Sequence, residues 1–160
     1  MMANKSNTES NLIVSTESRA ESDAIRKDEK RMTDDPGVRV RIYEQIIREN
    51  ISYNGLLLSH PDDRELIEGI IDLILETVVG TQSEILIASG KYPAQVVKSK
   101  FLKLNYFHIE YVLSCLKQNT TNVKNIRKYL LAALFNAPST MDGYYQAKVN
   151  HDMPQYTMPR

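Results

Sequence analysis

The chain has one cysteine, no tryptophan, no net charge and no long apolar run in its 160 residues. Each shortage closes a class of function. A lone Cys115 forms no internal disulfide, so cysteine usage gives no sign of an exported, cross-linked scaffold. No window reaches the ~18 apolar residues that a membrane span needs. The richest stretch, Leu66 to Val79, is broken by Glu68, Asp72 and Glu76. The first residues lack the apolar segment of a signal peptide. These absences together predict a cytoplasmic protein that makes no use of a membrane.

Catalytic constellations are missing as well. His60, His108 and His151 stand in unrelated contexts, with no Cys or second His at ligand spacing, so no metal site is expected. Cys115 sits in a leucine-rich helical pattern and reads as an inert core thiol. Ser89-Gly90-Lys91 has part of a phosphate loop, but Ile85 stands where the first glycine belongs and Tyr92 where the hydroxyl belongs. It reads as a turn. Asp62, Asp63 and Glu65 could be imagined as an acid–base group, yet the first turn of a helix accounts for them. Asn50-Ile51-Ser52 and Asn119-Thr120-Thr121 match glycosylation acceptors that carry no meaning in a cytosol. The expectation is a protein without catalytic residues or cofactor.

What is present is helical periodicity. Residues 1–37 are polar apart from Leu12-Ile13-Val14 and are expected to be a disordered linker, because they cannot bury enough apolar area to offset chain entropy. From Val40 to Ile51, the residues Ile42, Tyr43, Ile46, Ile47 and Ile51 fall on one helical face. Leu56-Leu57-Leu58 predicts a short buried turn. Ser59, Pro61 and the following acids mark the start of a helix that runs to Val79 and stops at Gly80. Its apolar residues cover more than half its circumference, which makes it the central helix. Glu84 to Ala88 predicts a short strand, paired with Tyr92 or with a partner chain. Helices follow over Ala94–Leu104, over Tyr106–Lys117 with Asn105 as cap, and over Asn122–Asn136 with Thr120 or Thr121 as cap. Pro138 is expected just beyond the end of the last of these, with a separate helix opening at Ser139 or Thr140 and running through Val149. No internal repeat shows. The fold class is all-α, a compact multi-helix domain over 38–152 with at most one short β element and a frayed tail at 153–160.

The zero net charge hides a polarity. Between Val38 and Thr81 there are eight acids (Glu44, Glu49, Asp62, Asp63, Glu65, Glu68, Asp72, Glu76) against four arginines. Between Gln82 and Phe135 there are eight bases (Lys91, Lys98, Lys100, Lys103, Lys117, Lys124, Arg127, Lys128) against Glu84 and Glu110. Such halves either neutralise one another across the fold or leave a positive face. On the second reading Lys98, Lys100, Lys103, Lys124, Arg127 and Lys128 form basic patches on two neighbouring helices, suited to sequence-independent phosphate neutralisation. There is no glycine-turn pattern of a helix-turn-helix and no aromatic RNA-binding box. Tyr106-Phe107 and Tyr144-Tyr145 exceed what one stripe per helix can bury. Either one ring of each pair packs inside while the other reaches solvent, or the pairs form a docking patch for another chain.

The segments Val96 to Leu104 (VVKSKFLKL), His108 to Leu113 (HIEYVL), Lys124 to Pro138 (KNIRKYLLAALFNAP) and the closing TMDGYY…VNHDM carry a resemblance. In their order and spacing they resemble the C-terminal domain of the replication initiator protein A family of plasmids and mobile elements in Firmicutes. A fainter similarity runs to the helical C-terminal domain of DnaD-like primosomal proteins, on Tyr43-Glu44 and on Arg127-Lys128-Tyr129-Leu130. The tryptophan of that closing motif is absent here. The resemblance implies an accessory domain without catalytic residues that follows a polar linker in an initiator. No winged-helix segment precedes residues 1–37, so origin recognition itself is not implied, whether the chain is an excised domain or stands alone. Two roles stay open. One is weak, salt-dependent DNA binding through the basic face. The other is a protein-interaction module that recruits host replication proteins or makes a homo-oligomer.

Overall fold

In the computed structural model of the chain, residues 19–24, 27 and 35–152 are described. The chain divides into two units, residues 1–41 and 42–160. In the first unit, residues 19–24 and 27 are helical and those side chains are exposed, although a linker without structure was expected there. Arg19, Ala20, Glu21 and Ala24 favour or tolerate a helix without any burial, and the Ser22 hydroxyl donates to the Arg19 carbonyl at 2.9 Å. The remainder of the expected linker, and the expected frayed tail, lie outside the described residues. Asp35 then accepts the Gly37 amide through Oδ1 at 2.8 Å and starts helix α1, Pro36–Asn50, with proline in the first turn where it costs no hydrogen bond.

The second unit is all-α apart from one β-hairpin, the fold class expected. After α1 come α2 (Tyr53–Ser59), a 3-10 turn (Pro61–Asp63), α3 (Arg64–Val79), β1 (Glu84–Ile87), β2 (Gly90–Pro93), α4 (Ala94–Phe101), α5 (Tyr106–Gln118) and α6 (Ile126–Asp152). Helix α3 is the core element, burying Ile67, Ile70, Ile71, Leu73, Ile74, Thr77 and Val78. Ile47 and Ile51 of the first helical stretch, Leu56 of α2, Val97 and Phe101 of α4, Ile109, Val112 and Leu113 of α5, and Leu130, Leu134 and Phe135 of α6 join the same core. Strand β1 pairs antiparallel with β2, Ile85 facing Tyr92 across the ladder, so the expected strand finds its partner within the chain. Its burial alternates strictly, with Ile85 and Ile87 inward.

Four local expectations are corrected. Leu56-Leu57-Leu58 is part of a helix, and only Leu56 is buried while Leu58 is 85% exposed. A helix turns successive residues by about 100°, so three leucines in a row cannot share one face. Ile42 and Ile46 likewise stay exposed although Ile47 and Ile51 are buried. Ser59 caps nothing; its hydroxyl accepts a bond from Tyr106. Finally, α6 runs through Pro138 as one helix of 27 residues, and its start is capped by Asn125, which accepts the Lys128 amide at 3.0 Å. A mid-helix proline costs about 3 kcal/mol. Packing on both sides offsets it. Leu134, Phe135 and Ala137 are in the core ahead of the proline. Beyond it, Thr140 meets Tyr111, and Tyr144 donates to Gln118 at 2.6 Å.

Ile70 and Ile74 of α3 have no exposed surface. Truncating either to alanine should cost ~2–5 kcal/mol of unfolding free energy in a urea titration. A loss under about 1 kcal/mol at both positions would show that the buried face of α3 is wrongly assigned.

Candidate functional site

The six basic residues singled out from the sequence separate into two groups. Lys98, on α4, turns inward and its ammonium donates to the carbonyl of Gly80 at the end of α3. That carbonyl is at the negative end of the α3 dipole, and a cation there satisfies an acceptor the helix cannot. Lys100 places its ammonium 4.0 Å from the ring centroid of Phe135 on α6, in cation–π geometry. Arg127 binds the carboxylate of Glu76 on α3. Lys103, Lys124 and Lys128 are exposed and have no partner among the described residues.

Two more cations complete a pattern. Arg48 makes a two-pronged bond to Glu68 of α3, at 2.8 and 3.3 Å, and lies 4.5 Å from the Tyr53 ring centroid. The Tyr53 hydroxyl donates to the same carboxylate. Glu68 is consequently held below the usual carboxylate range, first by Arg48 and then by Tyr53, and Arg48 is raised above its ordinary value chiefly by Glu68. Lys117 of α5 binds Asp63, the residue just ahead of α3. The acids on or beside α3 thus draw cations from Arg48, Lys117 and Arg127, while Lys98 closes its end. The two charged halves of the sequence meet here.

The two aromatic pairs differ. The Tyr106 hydroxyl donates to Ser59 Oγ at 2.9 Å and approaches Glu110 Oε1 at 3.2 Å, so this ring is tied down. Phe107 stands edge-on to it, centroids 5.4 Å apart, and is 61% exposed. Tyr144 and Tyr145 both stand edge-on to Tyr111, at 5.1 and 6.1 Å, and Tyr145 is 37% exposed. Tyr145 lines a groove of about 350 Å³ together with Lys148, Val149 and Asp152. Burial raises the Tyr111 and Tyr145 hydroxyls above the ordinary tyrosine value, which leaves them protonated.

Two features escaped the sequence. Leu58 carries the most exposed large apolar side chain among the described residues. Beside it, His60 lies between two carboxylates, Nδ1 3.5 Å from Asp63 Oδ2 and Nε2 3.6 Å from Glu110 Oε1. Its Nε2 is buried without a hydrogen-bond partner. The Ser59-His60-Pro61-Asp62-Asp63 run was the visible signal. Glu110 is fifty residues away and reaches His60 only because α2 packs on α5. Among the described residues no group of three or more His, Cys, Asp or Glu side chains is placed to hold a metal ion, and no helix is long and apolar enough to cross a membrane.

A family model described as "Family of unknown function (DUF6017)" matches residues 9–155, so the chain belongs to the DUF6017 family. No curated protein and no solved structure matches it.

The start of α5 beside Phe107 is expected to respond to pH. Asn105 accepts the His108 amide at 3.2 Å, and His108 Nδ1 accepts the Asn105 amide at 3.1 Å, a reciprocal cap that needs an unprotonated Nδ1. Burial holds His108 below the ordinary value of 6.5, with Asp142 opposing. A histidine with a depressed folded pKa binds fewer protons folded than unfolded. Its stabilisation is complete above the ordinary value and is lost as pH falls through the folded one. Between about pH 7.5 and about pH 5 the urea midpoint of the wild type should fall further than that of His108→Gln, which keeps an acceptor at the same position. Equal falls would mean that this ring does not titrate within the cap.

Proposed function

We propose that this DUF6017 domain is a non-catalytic accessory domain of a plasmid or mobile-element replication initiator, acting in the cytosol, and that it works by docking other replication proteins. The link to replication rests on the resemblance of Val96–Leu104, His108–Leu113 and Lys124–Pro138 to the initiator family. The observation that carries the choice of docking over DNA is the fate of the cations. Lys98 and Lys100 have partners within the fold and Arg127 is held in a surface pair with Glu76, whereas Phe107 and Leu58 have large apolar surfaces facing water. A lysine bound to a carbonyl or a ring must give up that contact before it can neutralise a phosphate. Apolar anchors in solvent give up no partner within the fold on docking and gain burial.

Lys103, Lys124 and Lys128 support a second reading, weak DNA contact as an aid to docking. Three phosphate contacts would give a log–log salt slope of about −2.7 on duplex DNA.

The two readings separate by titrating labelled duplex at two salt concentrations and, in parallel, purified replication proteins of the host. The triple variant Lys103→Ala, Lys124→Ala, Lys128→Ala is carried through both titrations. The docking reading expects at least one host protein to bind wild type and triple variant alike, with duplex binding weak. Tight duplex binding with a slope near −2.7 that the variant loses, and no host protein bound, would replace it with the DNA reading.

A further inference from the structure

We propose that the edge formed by Leu58 and Phe107 is the docking site for a basic, amphipathic helical segment of the partner protein. This rests on the docking reading above and assigns its surface and its partner's chemistry. Leu58 and Phe107, 85% and 61% exposed, are the two most exposed large apolar side chains among the described residues. They come from elements 49 residues apart in sequence that the fold brings together. Gly55, Leu58 and Ser59 share one face of α2 at helical spacing. Tyr106 lies along that face, since a Cβ at Gly55 would touch its ring at 3.8 Å and its hydroxyl bonds Ser59. Phe107 stands edge-on to Tyr106, the ring that ties α5 to α2 at Gly55 and Ser59.

The rim of this edge is acidic. Asp62 and Glu65 follow directly after α2, are exposed, and have no partner among the described residues. Glu110 lies one turn beyond Phe107 on α5 and meets only the Tyr106 hydroxyl and His60. Of the neighbouring cations, Lys117 is paired with Asp63, and Arg64 is exposed with its guanidinium 3.5 Å from the Tyr53 hydroxyl. Two apolar anchors on elements where Asp62, Glu65 and Glu110 outnumber Arg64 fit a helix with large apolar residues one turn apart and Lys or Arg on its flanks. The same carboxylates repel an anionic membrane. The anchors are held from below: Tyr106 is fixed at both Ser59 and Glu110, and α5 is locked by its Asn105–His108 cap. The helix that carries Phe107 is therefore set before anything binds, which lowers the ordering cost on that side.

The probe is a labelled synthetic helical peptide of about four turns, with Leu and Phe one turn apart and Lys at the flanking positions. Its twin carries Glu in place of each Lys. The wild-type chain should bind the basic peptide and not the acidic one. Leu58→Ser with Phe107→Ser should weaken binding by about tenfold or more. Asp62→Asn with Glu65→Gln should weaken it less and flatten its salt dependence. Leu58 and Phe107 are exposed, so the first variant should melt at the wild-type temperature, whereas the second loses two acids at the start of α3 and should melt a few degrees lower. Equal binding of the two peptides, binding of neither, or undiminished binding by the Leu58/Phe107 variant overturns the proposal. A dimer of the wild type that this variant dissolves would also overturn it, by giving the edge to a second copy. The same variant is then tested against the host protein that the wild type binds. Retained host-protein binding removes this surface but leaves the docking function standing. A wild type that binds no host protein removes the docking function whatever the peptides do.

Discussion

Helix α3 buries Ile67, Ile70, Ile71, Leu73, Ile74, Thr77 and Val78, and it carries Glu68 and Glu76 on its remaining surface with Asp63 just ahead of it. The burial supplies the energy. Each fully buried Ile, Leu or Val side chain contributes roughly 1.5–3 kcal/mol, whereas an ion pair left partly in water contributes about 0–1 kcal/mol. Arg48–Glu68, Lys117–Asp63 and Arg127–Glu76 all remain partly exposed. They do not hold the domain together. Burial of the apolar stripes decides which face of each surrounding helix turns towards α3, and the ion pairs fall where that packing brings a cation within reach of a carboxylate.

That constraint reaches the candidate surfaces. The charge polarity of the sequence allowed either mutual neutralisation or a free positive face, and the cations nearest the core follow the first course. Lys103, Lys124 and Lys128 are exposed and have no partner among the described residues. At the other end of the same helix the acids are in excess. Asp63 takes Lys117, and no cation remains for Asp62 or Glu65 among the described residues. The Leu58–Phe107 edge lies beside that excess. The arrangement that uses up cations at the C-terminal end of α3 thus leaves an acidic, apolar surface at its N-terminal end.

Much of this was legible in residue spacing. The central helix, its stop near Gly80, the β-hairpin and the Asn105 cap follow from periodicity and from turn and capping chemistry, all local properties. What escaped was non-local. Pro138 reads as a helix end by every local rule, and it is overruled by packing that Leu134, Ala137 and Tyr144 make with other elements. Lys98, Lys100 and Arg127 read as surface bases because their partners, Gly80, Phe135 and Glu76, lie 18 to 51 residues away. Leu58 reads as core because a leucine run hides which of its members the helix turns outward.

The account stands on the claim that the inner cations belong to the fold and the outer ones do not. Thermal unfolding of two double variants tests this directly: Lys98→Met with Lys100→Met, and Lys124→Met with Lys128→Met. Methionine keeps the length of the apolar stem and removes only the charge and its donors. A carbonyl acceptor left without its donor and a lost cation–π contact each cost about 1–2 kcal/mol, so the first pair should lower the midpoint by several degrees. The second pair should leave it unchanged. Equal and small effects of both pairs would contradict the account, because all four lysines would then be surface charges and the basic face would be intact.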